Sequence, residues 1–375
     1  QTATSSPVPV VIYAVPPANL WATSSSGTRI SSFAVIHGLY SAGATNIFTP
    51  TFPGGTTGGT TTAALGRSST GHFYWLPNTS GNNGIVEVFG AASDGTGTTL
   101  VGTLDLNGSS TSSLGFVRLG MGPDGRGWIL AGNGSANLIL ASFLSNGLNP
   151  VSITLEDGSV DLVGGSNSTF QNGDLCILGN GDIYALANNG GGVTQIFIGK
   201  PTGSTTTLTK KWDLVNDADA PFTGSVNGVA FDPFGSLYIS TADGLYYINQ
   251  STVKSTIPIP TVQCVLVRSQ TGLQDLASNY FPEFTTLPVT LLSFSGTYKN
   301  DITSLTWKSE SEINFSHFEI ERSSDGVNYI NIGSKTPVSG NGSASVYQFA
   351  DNLSAVSGTV FYYRLKMIDI DHKFK

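Results

Sequence analysis

The chain is poor in most of the residues that ionic, redox and metal chemistry draw on. Of its 375 residues only 11% are charged, four are histidine, two are cysteine and two are methionine. The histidines stand at 37, 72, 317 and 372 and form no His-Glu-x-x-His pair, and no Gly-x-Ser-x-Gly elbow occurs. The usual sequence marks of zinc and serine hydrolases are therefore missing. A net charge of -8 makes nucleic acid and anionic membrane surfaces poor partners. No run approaches the roughly 20 apolar residues of a membrane-spanning helix. Two cysteines are too few for a disulfide framework. Cys176 and Cys264 both fall in apolar segments and read as ordinary buried thiols, with a single bridge between them as the alternative.

Glycine is abundant, with 46 residues, and its placement is periodic. Gly71-His72-Phe73-Tyr74, Gly125-Arg126-Gly127-Trp128, Gly181-Asp182-Ile183-Tyr184 and Gly235-Ser236-Leu237-Tyr238 repeat one phrase at spacings of 54, 56 and 54 residues. Six positions before each glycine stands Leu65, Leu119, Leu175 or Val229. An apolar strand, a glycine turn and an aromatic-ended strand thus recur together, which marks a repeat architecture. Four short strands can be read in each unit, for example Asn227 to Phe231, Ser236 to Ser240, Gly244 to Asn249 and Val253 to Ile259, parted by turn residues. That is the pattern of a β-propeller blade. The competing readings are an irregular β-sandwich and a solenoid, whose repeats are shorter.

The first blade lacks its first strand. Residues 10–15 read as the aromatic-ended second strand, with 19–23 and 30–36 as the third and fourth. Residues 273–279 match 226–232 in their Leu/Val-Ala step, so they are expected to pair with 10–15 and close the ring. The count is about five blades over 10–282, after an N-terminal extension at 1–9. A linker at 283–288 leads to a second domain at 289–375, where the density of charge changes: 25 charged residues in the first 286 and 17 in the last 89. Six short strands in that segment indicate an immunoglobulin-like or fibronectin-III-like sandwich, with Trp307 and Tyr362 or Tyr363 as core anchors. The fold class expected is all-β, a propeller of about five four-stranded blades followed by such a sandwich.

The residues of the second domain also carry a family resemblance. Leu287-Pro288-Val289-Thr290-Leu291-Leu292-Ser293-Phe294, Leu305-Thr306-Trp307, Ser309-Glu310-Ser311-Glu312, His317-Phe318-Glu319-Ile320-Glu321-Arg322-Ser323 and Phe361-Tyr362-Tyr363-Arg364-Leu365 together resemble the module that precedes the sorting domain in Bacteroidetes type IX secretion substrates. The resemblance covers nearly all of 287–375 and implies a cell-surface or released protein. The family pattern continues with a last strand, a linker and a sorting domain, whereas this sequence ends at Lys375. Export with a signal peptide already removed is expected, because the chain opens on Gln1 rather than Met. The propeller half resembles secreted bacterial propellers only generically, which names no activity.

Site candidates are sparse. His72 abuts a repeat turn, but its counterparts are Arg126, Asp182 and Ser236, a variation ordinary for solvent-facing turns. Glycosidases need two carboxylates on facing elements, and Asp124, Asp182, Asp232 and Asp275 fall near strand ends where propellers gather central sites. Asp beside Gly or Pro is ordinarily turn chemistry, and that is the favoured account. Asp217 and Asp219 could offer oxygen ligands to Ca²⁺ but lack the spaced loop of a calcium site. Among the aromatics, Trp21 and Trp75 lie off the repeated position and are the better surface candidates for stacking on sugar rings. No cofactor is expected. The function expected is a secreted, non-enzymatic structural or adhesive protein, self-associating or bound to another surface protein, as in an extracellular filament. A carbohydrate-binding module and a propeller glycoside hydrolase or polysaccharide lyase are the alternatives.

Overall fold

The structure is a computed structural model, and it describes residues 17–24, 26–36, 38–79, 84–105, 116–132, 138–145, 154–155, 159–166, 170, 172–188, 192–202, 205–255, 260–283, 290–310, 315–337, 345–358 and 360–369. The chain divides into two compact units, Gln1–Phe284 and Thr285–Lys375. In the first unit the strands run, in chain order, Ala18–Ser24 (β1), Arg29–Ile36 (β2), Leu39–Phe48 (β3), then Thr62–Arg67 (β4), Phe73–Pro77 (β5), Ile85–Ala91 (β6) and Thr99–Asp105 (β7). Next come Phe116–Met121 (β8), Arg126–Gly132 (β9), Leu138–Leu144 (β10) and Thr154–Leu155 (β11). Ser159–Val163 (β12), Asn172–Ile177 (β13), Ile183–Asn188 (β14), Gln195–Gly199 (β15) and Thr205–Val215 (β16) follow. Val226–Phe231 (β17), Leu237–Thr241 (β18), Gly244–Ile248 (β19), Thr261–Gln263 (β20), Val265–Ser269 (β21) and Leu273–Ala277 (β22) complete the unit.

These strands form five sheets, each an antiparallel blade. The orders are β22-β1-β2-β3, β4-β5-β6-β7, β8-β9-β10-β11, β13-β14-β15-β16 and β17-β18-β19-β21, and β16 also takes β12 and β20 as parallel partners. The innermost strands pack in a closed ring: β22 on β4, β4 on β8, β8 on β13, β13 on β17, and β17 back on β22. The first unit is a five-bladed β-propeller.

Local chemistry explains the period. In all four repeated turns the glycine N–H donates to the carbonyl three residues back, Gly71 to Ser68, Gly125 to Gly122, Gly181 to Leu178 and Gly235 to Asp232. Their φ values are +88°, +83°, +85° and +89°. A turn ending on a left-handed residue fits a right-twisted hairpin, and only glycine takes that conformation without a Cβ penalty. The aromatics that follow pack within and between blades: Tyr74 meets Phe143 at 5.4 Å between centroids, Tyr184 meets Phe231 at 5.6 Å and Tyr238 meets Tyr247 at 5.2 Å.

Two strand assignments are corrected. The second strand of blade one is β1, not residues 10–15, which lie outside the described residues; the strand β22 pairs with β1, Trp21 opposite Ala277 and Ala22 opposite Leu276. The segments at 19–23 and 30–36 are thus the second and third strands, and Leu39–Phe48 is the fourth. In blade five Val253–Ile259 is not the fourth strand. Asn249 accepts the Thr252 N–H as an N-cap and starts a helical turn, Gln250–Lys254 (α1), with Val253 buried. The fourth strand is Val265–Ser269, and 256–259 lie outside the described residues.

Among its described residues the second unit has six strands: Thr290–Lys299 (β23), Ile302–Glu310 (β24), Phe315–Ser323 (β25), Ile330–Lys335 (β26), Ser345–Asn352 (β27) and Tyr362–Asp369 (β28). They form two three-stranded sheets, β23-β24-β27 and β26-β25-β28. Leu305, Trp307, Phe318, Ile320 and Tyr347 share one buried cluster, with Tyr363 partly buried against it and Tyr362 exposed. Asp351 ties the sheets together, accepting from Arg322 Nη1 at 2.8 Å and from Tyr363 Oη at 2.8 Å.

Replacing Gly181 by alanine should destabilise the propeller by about 1–2 kcal/mol, because the left-handed turn remains obligatory. Gly43→Ala, where an added Cβ meets nothing within 4 Å, should change stability by less than about 0.5 kcal/mol. Urea unfolding of both variants checks the contrast.

Candidate functional site

The propeller axis is where the five blades bring equivalent positions together. In the innermost strands the residue before the repeated Leu or Val is Asp275, Ala64, Arg118, Asp174 and Gly228, taken around the ring. Three of these are polar, and each reaches the backbone of the following blade. Asp275 Oδ2 accepts the Leu65 N–H at 2.5 Å, Arg118 Nε donates to the Gly173 carbonyl at 2.5 Å, and Asp174 Oδ2 accepts the Val229 N–H at 2.6 Å. At Gly228 an added Cβ would collide with the Leu276 nitrogen and the Asp275 backbone. Each junction is thus made by a reaching polar group or by a residue small enough for the next strand to come close.

Asp174 and Asp275 are fully buried, and the remaining oxygen of each, Oδ1, has no donor if both are ionised. Burial raises both carboxyls, Asp174 well above the usual carboxylate range and Asp275 to about 7; the charge of Asp275 raises Asp174 further, while Arg118 lowers both. Burial and the neighbouring Asp275 charge thus favour the protonated form of Asp174. One proton and one guanidinium make the trio electrically neutral once Asp275 ionises, and an unpaired buried charge is avoided.

The axis beside this trio is nearly filled. Leu65, Leu119, Leu175, Val229 and Leu276 surround a cavity of about 20 Å³, room for roughly one water. The chain after β22 forms part of its wall, with Tyr280 and Phe281 among its lining and the Gly179 N–H of blade four donating to the Pro282 carbonyl at 3.1 Å. At the rim the Arg67 guanidinium lies 3.8 Å from the Trp21 ring centroid and 4.4 Å from that of Phe73. Burial lowers its pKa to about 10, and Nε and Nη1 have no protein acceptor.

The residues singled out from sequence are not brought together. His72 sits on the blade-two turn with Nδ1 2.9 Å from Thr70 Oγ1. Asp182 occupies the matching turn of blade four and accepts from Asn180 Nδ2 at 2.8 Å. Asp232 Oδ1 accepts the Phe234 and Ser236 N–H groups at 2.9 and 2.8 Å, and burial raises its pKa. These are turn-forming carboxylates. Asp217 and Asp219 lie in a loop organised by Asn216 Oδ1, and no group of three His, Cys, Asp or Glu side chains gathers among the described residues.

The surface placement of two tryptophans is corrected. Trp75 is fully buried against Phe48 and Phe89, and Trp21 is 9% exposed beneath Arg67, so both belong to the core between blades one and two. Cys176 and Cys264 are buried free thiols. Sequence reading named Asp275 but missed its partners Asp174 and Arg118. The available signal was a charged residue directly before the Leu-small step of an apolar strand.

No family model matches the chain, and no curated protein does. Among solved structures it is similar to a Penicillium chrysogenum α-L-arabinanase complexed with arabinobiose, at 11% identity over 77% of this chain and 84% of that one, TM-score 0.38. It is similar to a GH93 α-L-arabinofuranosidase of Fusarium graminearum at 12% identity over 77% and 83%, TM-score 0.37. PorZ, a surface component of the type IX secretion system of Porphyromonas gingivalis, aligns at 12% identity over 92% of this chain and 62% of that one, TM-score 0.32. No helix among the described residues is long and apolar enough to cross a membrane.

The raised carboxyls make stability depend on pH with a definite sign. A carboxyl with a folded pKa above its unfolded value of about 3.9 contributes stability that is complete below that value and is lost as pH rises through the folded pKa. The wild type should therefore lose stability from about pH 4 up to and beyond the value of about 7 reached by Asp275. Asp275→Asn should flatten this decline, and Arg118→Met, which strands two buried carboxyls without their cation, should cost about 3–5 kcal/mol at pH 8. Urea midpoints from pH 4 to 8 measure both.

Proposed function

We propose that the chain is a secreted structural or adhesive protein of the cell surface, exported as a type IX substrate. In this reading the propeller is a rigid, non-catalytic platform and the second unit is a fibronectin-III or immunoglobulin-like sandwich. The observation that carries the reading is the plugged axis. The carboxyl pair, which would be the natural acid and base of a hydrolase, is buried and bound to the Leu65 and Val229 amides, and neither member lines the cavity on the axis. A glycosidase needs its two carboxyls open to a sugar and, if inverting, to a water between them. A cavity of about 20 Å³ admits no sugar.

A second reading, carbohydrate binding, draws on one feature elsewhere. Arg29, Ser31, Asn46, Asn227 and Gln274 line an open polar depression of about 510 Å³ on blades one and five, a set of donors and acceptors suited to hydroxyl groups. Arg29→Ala with Asn46→Ala should abolish retention on a glycan array if the depression binds sugar, and should change nothing otherwise.

Purified protein should release no product from a panel of polysaccharides, esters and peptides. Turnover that disappears in Asp174→Asn or Asp275→Asn while the fold is retained would overturn the structural reading.

A further inference from the structure

Among its described residues, the second unit has a slot that no strand fills. Among the described strands β23 pairs only with β24, and β28 only with β25, so each has a free backbone edge. Between them Phe294, Tyr298, Leu305, Leu353, Phe361 and Tyr363 line a cleft of about 700 Å³. The apolar residues around it are incompletely covered. Phe294, Tyr363, Leu365 and Met367 pack on the Trp307 cluster yet remain only partly buried, and Tyr298 is 64% exposed. A strand laid beside β28 would pair its edge and cover these side chains.

The propeller has a matching surplus. All five blades have their four strands without any contribution from residues 1–16. That segment contains Val10-Val11-Ile12-Tyr13-Ala14-Val15, an unbroken run of apolar, largely β-branched and aromatic residues. Pro9 precedes it, and Pro16-Pro17 stand between it and β1; prolines lack the N–H that a continuous ladder needs. The prolines thus mark the run off from β1 in the sequence. Six residues extend about 20 Å, within the reach of the eight residues of β28. It carries no charge, so its entry buries no ion, and either register turns apolar side chains into the cleft. Asp301, the one carboxylate in the lining, is already engaged by Tyr298 Oη at 2.9 Å.

We propose that the cleft between β23 and β28 takes residues 10–15 of a second copy of this chain as an added β-strand. Main-chain pairing with the β28 edge supplies affinity, and the aromatic cleft supplies specificity. Donor segment and acceptor cleft are different parts of the sequence, so the contact between copies is heterologous. Repeated, it builds a filament, or a ring if the rotation closes. The inference rests on the structural-subunit reading and gives that subunit its partner, another copy of itself.

The test uses the full chain with Ile12→Cys and Tyr298→Cys, oxidised and run on a non-reducing denaturing gel. The expected result is a ladder of three or more linked copies that neither single variant produces, since each single variant can link only pairs. A monomer linked internally between positions 12 and 298 would place the segment in its own copy's cleft and overturn the proposal, and so would the absence of linkage beyond the single variants. A chain lacking residues 1–15, with an unchanged circular dichroism spectrum, should bind a labelled peptide of residues 6–16 in saturable fashion. The Ile12→Pro peptide should bind at least about tenfold more weakly; equal binding, or no binding by the parent peptide, overturns strand addition. Hydrolytic turnover would sink the structural reading without touching either result, so the two failures are separable.

Discussion

A carboxylate cannot sit unpaired in a dry protein interior, and the propeller places two of them on its axis. Five strands converge there within reach of one another's backbones, and whatever stands at the shared position must satisfy a neighbouring amide or stay out of its way. Asp275 and Asp174 do the first for Leu65 and Val229, while Gly228 does the second at the point where β17 meets β22. Arg118 supplies the countercharge and at the same time holds the Gly173 carbonyl. The trio is therefore a set of junctions between blades whose electrostatics close only when all three members and one proton are present. Buried polar groups of this kind fix register as well as stability, since a shift of one residue in any of the three strands would leave each of them unpartnered.

The same crowding explains the small residues that follow the repeated Leu or Val. An added Cβ at Gly66 would press on Leu119 and Met121, and one at Gly120 would meet the Leu175 carbonyl at 3.0 Å. Cys176, Ala230 and Ala277 take the same place in the other strands. The free thiol of Cys176 is accordingly a packing residue, buried with its pKa raised by burial and by Asp174. Farther from the axis the blades widen, and there the gaps are filled by large rings such as Trp75, Trp212, Phe143 and Phe197.

What the sequence disclosed follows from this geometry. The glycine period was legible because a left-handed turn position tolerates almost nothing else, so it recurs wherever the hairpin recurs. The closing strand was legible from its Leu-Ala step, which reports close packing at the axis. The strands of blade one were displaced by one place because Tyr13 and Trp21 both end apolar runs, and only pairing with β22 distinguishes them. Val253 misled for a similar reason: an apolar residue among Ser and Thr reads as a strand until Asn249 caps a helical turn. Asp174 and Arg118 were illegible as a site because their meaning is collective. Each looks like an isolated charge in an apolar strand, and only ring closure brings them to Asp275. Trp21 and Trp75 were placed outside because they depart from the repeated aromatic position, yet blade one packs on blade two through a layer of its own that includes Phe48, Phe73 and Phe89.

The distribution of buried polarity also bears on where function can reside. The axis spends its charged groups on closure, and the strap from Ser278 to Pro282 forms part of the wall of the remaining cavity, crossing from blade one to Gly179 of blade four. An active centre needs groups whose bonding capacity is left open for a substrate, and here Oδ2 of each aspartate is committed to an amide. The unspent capacity of the first unit is found instead on surface polar depressions, and that of the second on strand edges and a partly covered aromatic face. Backbone edges of this kind recognise any strand that can present complementary amides and an apolar face.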